Sequence, residues 1–226
     1  MIDHVNEIEL VGFYGSDASH ALSAWTSTSR DLDEDKIGRI GKMLSGLAKD
    51  GHHTPFEKSA LHFLVRTDIA SHIHLLKHRI GISINAESAR YKELGERTLK
   101  GELVGEDHFY VPADWPADEQ ARLATFCEDA FQAYHDTLRR LEDGGMSRKR
   151  AKETARFYLP YASQIRADIQ FNWRSFATFQ KLRNEAHAQD EIHEIAQTML
   201  DLVEATNQFP LTIAAFRELG WLPAKK

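Results

Sequence analysis

The spacing of apolar residues changes along the chain between the two periods that distinguish strands from helices. Residues 7–13 and 163–171 alternate polar with apolar side chains, which predicts β-strands. Residues 36–49 and 118–141 instead repeat apolar side chains every three to four positions, which is typical of amphipathic helices. The two patterns do not alternate regularly enough for a doubly wound parallel sheet. The sequence therefore predicts one α+β domain over residues 1–226, in which an antiparallel or mixed sheet accompanies a larger helical part.

Capping residues and helix breakers predict the shorter elements. We expect helices at 16–25, 69–79, 147–160, 172–183, 192–202 and 211–219, a strand at 61–66, and a loop at 102–112 with an extended piece at 108–111. Neither an internal repeat nor a linker rich in Pro, Gly and Ser divides the chain.

Composition limits the environment in which the protein works. The only cysteine, Cys127, excludes an internal disulfide and fits a reducing compartment. No window approaches the roughly 18 apolar residues of a membrane span, and the first residues lack the basic and apolar regions of a signal peptide. We therefore expect a cytoplasmic protein that does not contact a membrane. The net charge of −6 argues against sequence-blind nucleic-acid binding, although a few arginines could still bind a small anionic ligand.

The densest group of polar side chains lies between Lys77 and Tyr91. Three cations, two hydroxyls, an amide and a carboxylate occur there, interleaved with the isoleucines at positions 80, 82 and 84. The isoleucines predict a partly buried loop, in which the cations need partners that a bound phosphate would supply. A solvated loop after a helix end is the alternative interpretation.

Two further stretches could contribute to a site. In residues 52–57, Thr54 and Glu57 could hold the ribose or amide edge of a ligand, or the stretch could be only a connection between a helix and a strand. The second stretch is residues 172–191. Within it, Arg183 is followed at intervals of four by His187 and Glu191, so one continuous helix would place all three on one face. An exposed ladder of ion pairs explains that spacing equally well, and Asn172 could act only as a helix cap.

The sequence contains little that indicates a metal site or a catalytic cysteine. The 12 histidines form no HExxH arrangement, and there is no cysteine pair, so we expect no metal site. Cys127 lies on the apolar face of a predicted helix, which indicates a buried core thiol rather than a nucleophile.

Taken together, the polar stretches resemble the motifs of the flavin-dependent thymidylate synthase family. The family's Arg-His-Arg motif and its continuation Asn-Glu-x-Ser-x-Arg-Tyr correspond here to Lys77, His78, Arg79, Asn85, Glu87, Ser88, Arg90 and Tyr91. Residues 53–57 are similar to the family's His-x-Thr-Pro-Phe-Glu box, and residues 155–160, 172–175 and 182–191 match later boxes in family order. The resemblance covers nearly the whole chain.

The resemblance implies an α+β homotetramer that binds FAD across subunit interfaces and methylates dUMP to dTMP. Methylenetetrahydrofolate would donate the carbon and NADPH the hydride. By position, the resemblance assigns dUMP binding to His74, Lys77, Glu87, Ser88, Arg90, Arg156 and Arg183. It assigns FAD contacts to Thr54, Glu57, Lys77, His78, Arg79, Asn172, Arg174 and His187, with either Ser27 or Ser29 as a further contact. Arg183 is the residue assigned to catalysis, since a cation beside the uracil would stabilise negative charge that develops on the ring.

The chain departs from the family pattern in the nucleotide-binding part. Lys77 replaces an arginine and lacks its bidentate fork, and His74 replaces a glutamine. The spacer between Arg79 and Ser88 is one residue longer than usual, so that a one-residue bulge would be needed to return Glu87 to its role. These changes leave two other hypotheses open, namely another 5-substituted pyrimidine nucleotide, such as a hydroxymethyl one, as product, or an inactive homologue that binds nucleotide and flavin. A purely structural oligomer would leave the polar stretches unexplained.

Overall fold

A computed structural model of the chain describes residues 2–94 and 109–224. The strands are β1 (Ile2–Asp3), β2 (Glu7–Tyr14), β3 (Ala60–Asp68), β4 (Ile82–Ala86), β5 (Phe109–Tyr110) and β6 (Gln164–Phe171). The helices are α1 (Asp17–Trp25), α2 (Glu34–Lys49), α3 (Ile69–Leu76), α4 (Ala117–Asp143), α5 (Arg148–Ala155), α6 (Trp173–Arg183), α7 (Asp190–Ala205) and α8 (Pro210–Glu218), with 3₁₀ turns at Thr54–Glu57 and Arg156–Tyr158. Positions 102–108 of the predicted loop lie outside the described residues.

Four strands form a sheet in the order β2-β3-β6-β4, and β1 pairs with β5 in parallel. Two contacts show the direction of the central pair: His62 on β3 bonds to Asp168 on β6 at 2.7 Å, and Arg66 bonds to Gln164 at 2.6 Å. Residue numbers increase along β3 in the direction in which they decrease along β6, so the two strands are antiparallel. The predicted α+β class, with an antiparallel or mixed sheet and a larger helical part, is confirmed.

Side-chain caps explain where several helices begin. The Ser16 hydroxyl accepts from the Ser19 N–H at the start of α1, and the Asp33 carboxylate accepts from the Lys36 N–H at the start of α2. These bonds satisfy N–H groups that have no partner inside the helix. Ser147 and Asn172 cap α5 and α6 in the same way. The predicted starts of these helices are therefore confirmed to within two residues.

Two sequence predictions are wrong between α3 and β4. The helix predicted over 69–79 ends at Leu76, and the expected partly buried loop contains strand β4. The reason is that this segment pairs with β6, where the Asn172 N–H donates to the Gly81 carbonyl at 3.1 Å. Ile80 is not buried as its alternation suggested, because 83% of its surface is exposed.

The helix continuity considered for 183–191 is absent. α6 ends at Arg183 and α7 begins at Asp190, so Arg183, His187 and Glu191 do not share a helical face. The break follows Asn184, whose amide donates to the Gln180 side chain at 2.7 Å and whose backbone leaves the helical region.

The described residues group into two compact units. The first unit is drawn from Met1–Glu7, Arg66–Ile73 and Ala86–Ala167, and the second from Ile8–Val65, His74–Asn85 and Asp168–Lys226. A single domain over the whole chain stays a prediction. None of the helices in the described ranges has the length and apolar content needed to span a membrane.

Each unit has its own core. In the first unit, Cys127 and Phe131 of α4 belong to one buried cluster with Phe109, Val111 and Ile165. Cys127 is fully buried, so the prediction of a core thiol is confirmed, and burial raises the pKa of this thiol to about 11. The second unit has an aromatic core, whose fully buried members include Phe56, Phe63, Phe171, Trp173, Phe176, Phe179, Phe209 and Phe216.

Candidate functional site

A cleft of about 310 Å³ lies in the second unit, between the segment that follows α3 and the first turns of α6. Its lining residues are Lys77, His78, Arg79, Ile80, Ile82, Arg174, Ser175 and Thr178. Within the described part of the chain, Lys77 and Arg79 have no carboxylate at ion-pair distance. The cleft therefore carries two positive charges that no described carboxylate compensates, which favours an anionic ligand.

Close approach of two backbone segments shapes this cleft. The Ser175 hydroxyl donates to the Ile80 carbonyl at 2.6 Å, and the Asn172 side chain accepts from the Ser175 N–H at 2.9 Å. Gly81, between them, has φ of +68°, and a Cβ there would stand 2.2 Å from the Ser175 hydroxyl oxygen. Only glycine fits such a position. Asn172 is thus the N-cap of α6. The first turn of α6 is in turn hydrogen-bonded to the segment that contains residues 77–80.

An ion pair joins two of the predicted FAD-contacting residues. Glu57, at the end of the 3₁₀ turn, accepts from Arg174 of α6 at 2.6 Å. Both side chains are partly exposed, at 30% and 45% of their surface. Sequence reasoning assigned each residue separately and missed the pair, because the partners stand 117 positions apart. Thr54 is exposed at the start of the same turn.

Arg183 and His78 form the second close pair. The Arg183 Nε donates to the His78 Nε2 at 3.1 Å, and the Phe179 ring packs edge-on against the imidazole. Burial, and to a smaller extent the positive charge of Arg183 and the neighbouring His74, lower the pKa of His78 to about 4. His78 is therefore neutral near pH 7 and can accept this hydrogen bond. No carboxylate pairs with Arg183 in the described ranges.

The other predicted residues of the second unit are less engaged. His187 is exposed in the connection between α6 and α7. His74 has a buried Nδ1 without a hydrogen-bond partner among the described residues. Ser29 accepts from the Lys36 ammonium at 2.6 Å, whereas the Ser27 hydroxyl donates to the Ala24 carbonyl. Neither serine lies in the cleft lining.

The first unit holds the predicted phosphate-binding residues. The Nη2 and Nε groups of Arg90 both donate to one Glu153 oxygen, at 3.0 and 3.2 Å. The backbone N–H of Arg90 donates to the Ser88 hydroxyl at 3.3 Å. The bond from Arg90 is the main cause that holds the pKa of Glu153 below its usual range. Lys152 donates to the Tyr91 carbonyl at 2.7 Å, so α5 supports this turn at two consecutive positions.

Arg156 follows the same helix and is exposed. The contact of Glu153 with Arg90 was not predicted; a lone glutamate on an otherwise basic helix was the available signal.

Glu87 anchors the start of that turn. One carboxylate oxygen accepts from the Arg166 N–H at 2.9 Å and the other accepts from Lys92 at 3.1 Å. Backbone bonds pair Gly81 with Asn172 and Glu87 with Arg166, so equal numbers of residues face each other between these pairs. A bulge would make the numbers unequal. The one-residue bulge considered for this strand is therefore absent.

Comparisons with known proteins agree with these motifs. A family model described as thymidylate synthase complementing protein matches residues 9–210. The flavin-dependent thymidylate synthase of Kosmotoga olearia is 29% identical over 95% of this chain and 91% of its own length, and that of Nitratidesulfovibrio vulgaris is 33% identical over 86% and 76%. The crystal structure of the UMP/dUMP methylase PolB from Streptomyces cacaoi, bound with 5-Br dUMP, superposes with a TM-score of 0.76 at 27% identity and covers 98% of both chains. The chain therefore belongs to the flavin-dependent thymidylate synthase family.

Proposed function

We propose that this protein converts dUMP to dTMP, with FAD as prosthetic group, methylenetetrahydrofolate as carbon donor and NADPH as reductant. The observation that carries the proposal is the pair formed by Arg183 and a neutral His78 at a cleft with two uncompensated cations. A guanidinium without a carboxylate partner suits a reaction in which negative charge develops on a uracil ring.

The cleft fits the chemistry of FAD. The cofactor has two phosphates, which match the free charges of Lys77 and Arg79, and Arg174 is held in place by Glu57. Thr54, His78, Asn172 and His187 complete the set that would hold FAD. A bound flavin supplies hydride transfer to the carbon that is being reduced. The chain's own contribution is to orient the cofactor and to neutralise its phosphates.

Arg183 would act on the uracil. Its Nε is occupied by His78, which leaves both terminal nitrogens free to donate to an oxygen of the ring. Since His78 is neutral, the positive charge of the pair stays on the guanidinium. His78 thus fixes the orientation of Arg183 without competing for the negative charge.

The dUMP phosphate would bind at Ser88, Arg90 and Arg156. Glu153 engages Nε and Nη2 of Arg90, so that Nη1 is left to donate to a phosphate oxygen. His74, Lys77 and Glu87 are the remaining residues assigned to the nucleotide. Glu87, whose two oxygens are occupied, would act by holding the turn rather than by contacting the ligand.

A homotetramer is part of the proposal. Phe157 and Tyr158 directly follow Arg156, Tyr161 comes three residues after Tyr158, and all three rings are exposed, with Phe157 showing 83% of its surface. Burying these aromatic side chains between subunits would remove their apolar surface from water. It would also place Arg156 next to the nucleotide of a neighbouring subunit.

UMP is a second candidate substrate. The observation that favours it is the structural similarity to a protein described as a UMP/dUMP methylase. The longer spacer between Arg79 and Ser88 leaves a hydroxymethylated nucleotide as an alternative product, and Lys77 and His74 leave binding without turnover as a further alternative.

The deciding experiment identifies the product. The purified protein would be incubated under low oxygen with FAD, NADPH, methylenetetrahydrofolate and an equimolar mixture of dUMP and UMP, and the nucleotides analysed by mass spectrometry. We expect dTMP, formed only when all components are present. Preferential 5-methyl-UMP would establish the second candidate, and a mass gain of a hydroxymethyl group would indicate the altered product. Unchanged nucleotides with FAD bound would refute turnover.

A further inference from the structure

His20 lies in the middle of a buried polar chain in the second unit. Its Nδ1 is 3.0 Å from the Thr212 hydroxyl and its Nε2 is 3.0 Å from the Ser59 hydroxyl. None of the surface of His20 or Thr212 is exposed, and Ser59 is also buried. Buried polar groups of this kind stabilise one arrangement of the segments that they join, because an unpaired partner is unfavourable.

The Asp17 carboxylate lies at one end of this series of hydrogen bonds and sets the direction of the bond between His20 and Thr212. Asp17 accepts from the Thr212 N–H at 2.8 Å, the Leu211 N–H at 2.8 Å and the Thr212 hydroxyl at 2.6 Å. Because the Thr212 hydroxyl donates to Asp17, it accepts from His20 Nδ1–H. Because burial lowers the pKa of His20 to about 4, the ring is neutral near pH 7, so Nε2 has no proton and accepts from the Ser59 hydroxyl. Only one tautomer of neutral His20 satisfies the whole chain.

The imidazole also lies next to residues that adjoin both members of the Glu57–Arg174 pair. Ser59 follows Glu57 by two residues, and its hydroxyl is also 3.4 Å from the Phe56 carbonyl. The Phe56 ring packs edge-on against His20, with centroids 5.4 Å apart. The ring of Trp173, which precedes Arg174, lies 6.3 Å from the same imidazole. His20 therefore contacts the sequence neighbours of both partners of the ion pair.

We propose that His20 is a positioning residue for the cofactor cleft, in which its bond with Ser59 holds the Thr54–Glu57 turn so that Glu57 keeps Arg174 directed at the ligand. The bond to Thr212 has a different role, since it connects the imidazole to the start of α8. The inference rests on the proposed function, because FAD affinity is the property that His20 would control.

Two substitutions of His20 separate its two bonds. The amide of asparagine reaches the place of Nδ1 and can donate to Thr212, whereas the longer glutamine amide reaches the place of Nε2 and can accept from Ser59. Both changes remove one buried hydrogen bond and should lower the unfolding temperature. We expect His20→Asn to raise the Kd of FAD roughly tenfold, the equivalent of one buried hydrogen bond, and His20→Gln to raise it less than about threefold.

A second pair of variants gives the same comparison with the histidine intact. Ser59→Ala should weaken FAD binding as His20→Asn does, while Thr212→Val should lower stability and leave the Kd of FAD near the parent value. The effect of Ser59→Ala on FAD should disappear in an Arg174→Gln background, because the path from Ser59 to the ligand runs through that arginine. A purely structural role predicts no such coupling.

Titrations of the full-length protein with FAD, followed by flavin fluorescence well below the unfolding temperature of each variant, provide the readout. Equal Kd values for His20→Asn and His20→Gln, or an undiminished Ser59→Ala effect in the Arg174→Gln background, would overturn the inference while the proposed function stands. A parent protein that does not bind FAD would overturn both. The ¹⁵N chemical shifts of His20 give an independent check, with a protonated Nδ1 and an unprotonated Nε2 expected.

Discussion

Arg183 combines two properties that a catalytic cation needs, namely a fixed orientation and the absence of a carboxylate partner in the described residues. The neutral imidazole of His78 accepts from its Nε at 3.1 Å and leaves the terminal nitrogens free. We expect Arg183→Ala to lower the rate of the chemical step by about two to three orders of magnitude, with FAD still bound. Single-turnover kinetics and the flavin absorption spectrum measure the two quantities separately.

The matched control is Arg39→Ala, which removes an arginine of α2 that pairs with Asp35 on the exposed surface. This variant should keep the parent rate, because surface pairs of this type contribute little. Activity of Arg183→Ala within a few-fold of the parent would show that Arg183 has no role in the chemistry.

His20 should also make stability depend on pH. Burial lowers its pKa from 6.5 to about 4, so between these values the unfolded chain binds the proton that the folded chain excludes. The free energy of unfolding should therefore rise from pH 4 to pH 6.5, and His20 should contribute about 3 kcal/mol to that rise. Urea denaturation at several pH values measures it.

Comparison with His20→Gln isolates this contribution, because the parent minus variant difference removes the other titrating groups. Equal slopes for the parent and His20→Gln would contradict the assignment of the pH dependence to His20.

At the scale of elements, the junction of β4 with α6 shapes the cofactor cleft. Gly81 has a positive φ, and a side chain would meet both the Ser175 hydroxyl and the Asn172 amide. Gly81→Ala should therefore lower the free energy of unfolding by about 2–4 kcal/mol, from backbone strain and overlap together, and weaken FAD binding. Urea unfolding and FAD titration are the measurements.

Gly51→Ala is the matched control for that change. Gly51 also has a positive φ, of +76°, but no atom lies within 4 Å of the place where its Cβ would stand. Its substitution should lower the free energy of unfolding by only about 1 kcal/mol, the contribution of strain alone. Equal effects at the two positions would mean that the close approach of β4 to α6 contributes nothing to the loss of stability in Gly81→Ala.

At the scale of the whole molecule, the exposed rings beside Arg156 predict assembly. Four chains of 25.8 kDa would give a particle of about 103 kDa, which light scattering coupled to size exclusion can measure. Phe157→Asp should shift the particle to a smaller mass and lower activity with it, because the proposed nucleotide site needs Arg156 from a neighbour. Phe126→Asp, at another exposed phenylalanine of the same unit, should leave the mass unchanged. A monomeric parent with full activity would exclude the tetramer.

Structural features that depend on contacts between residues close in sequence were predicted correctly. Ser16, Ser147 and Asn172 cap their helices as expected, because a cap is a bond between a side chain and a backbone N–H about three positions away. The segment 80–86 was predicted incorrectly, since only its pairing with β6 makes it a strand.

Local sequence patterns were sufficient to predict the α+β class, most helix starts and the residues from which a site could be built. They did not predict which of these residues meet in the folded chain: Glu57 with Arg174, His78 with Arg183, and His20 between Ser59 and Thr212. The partners in the first two pairs stand more than a hundred positions apart. Their meeting depends on strand register and helix packing, and a shift of one residue in a strand would turn its side chains to the opposite face. Local propensity contains no information about that register, which the packing of the whole chain selects.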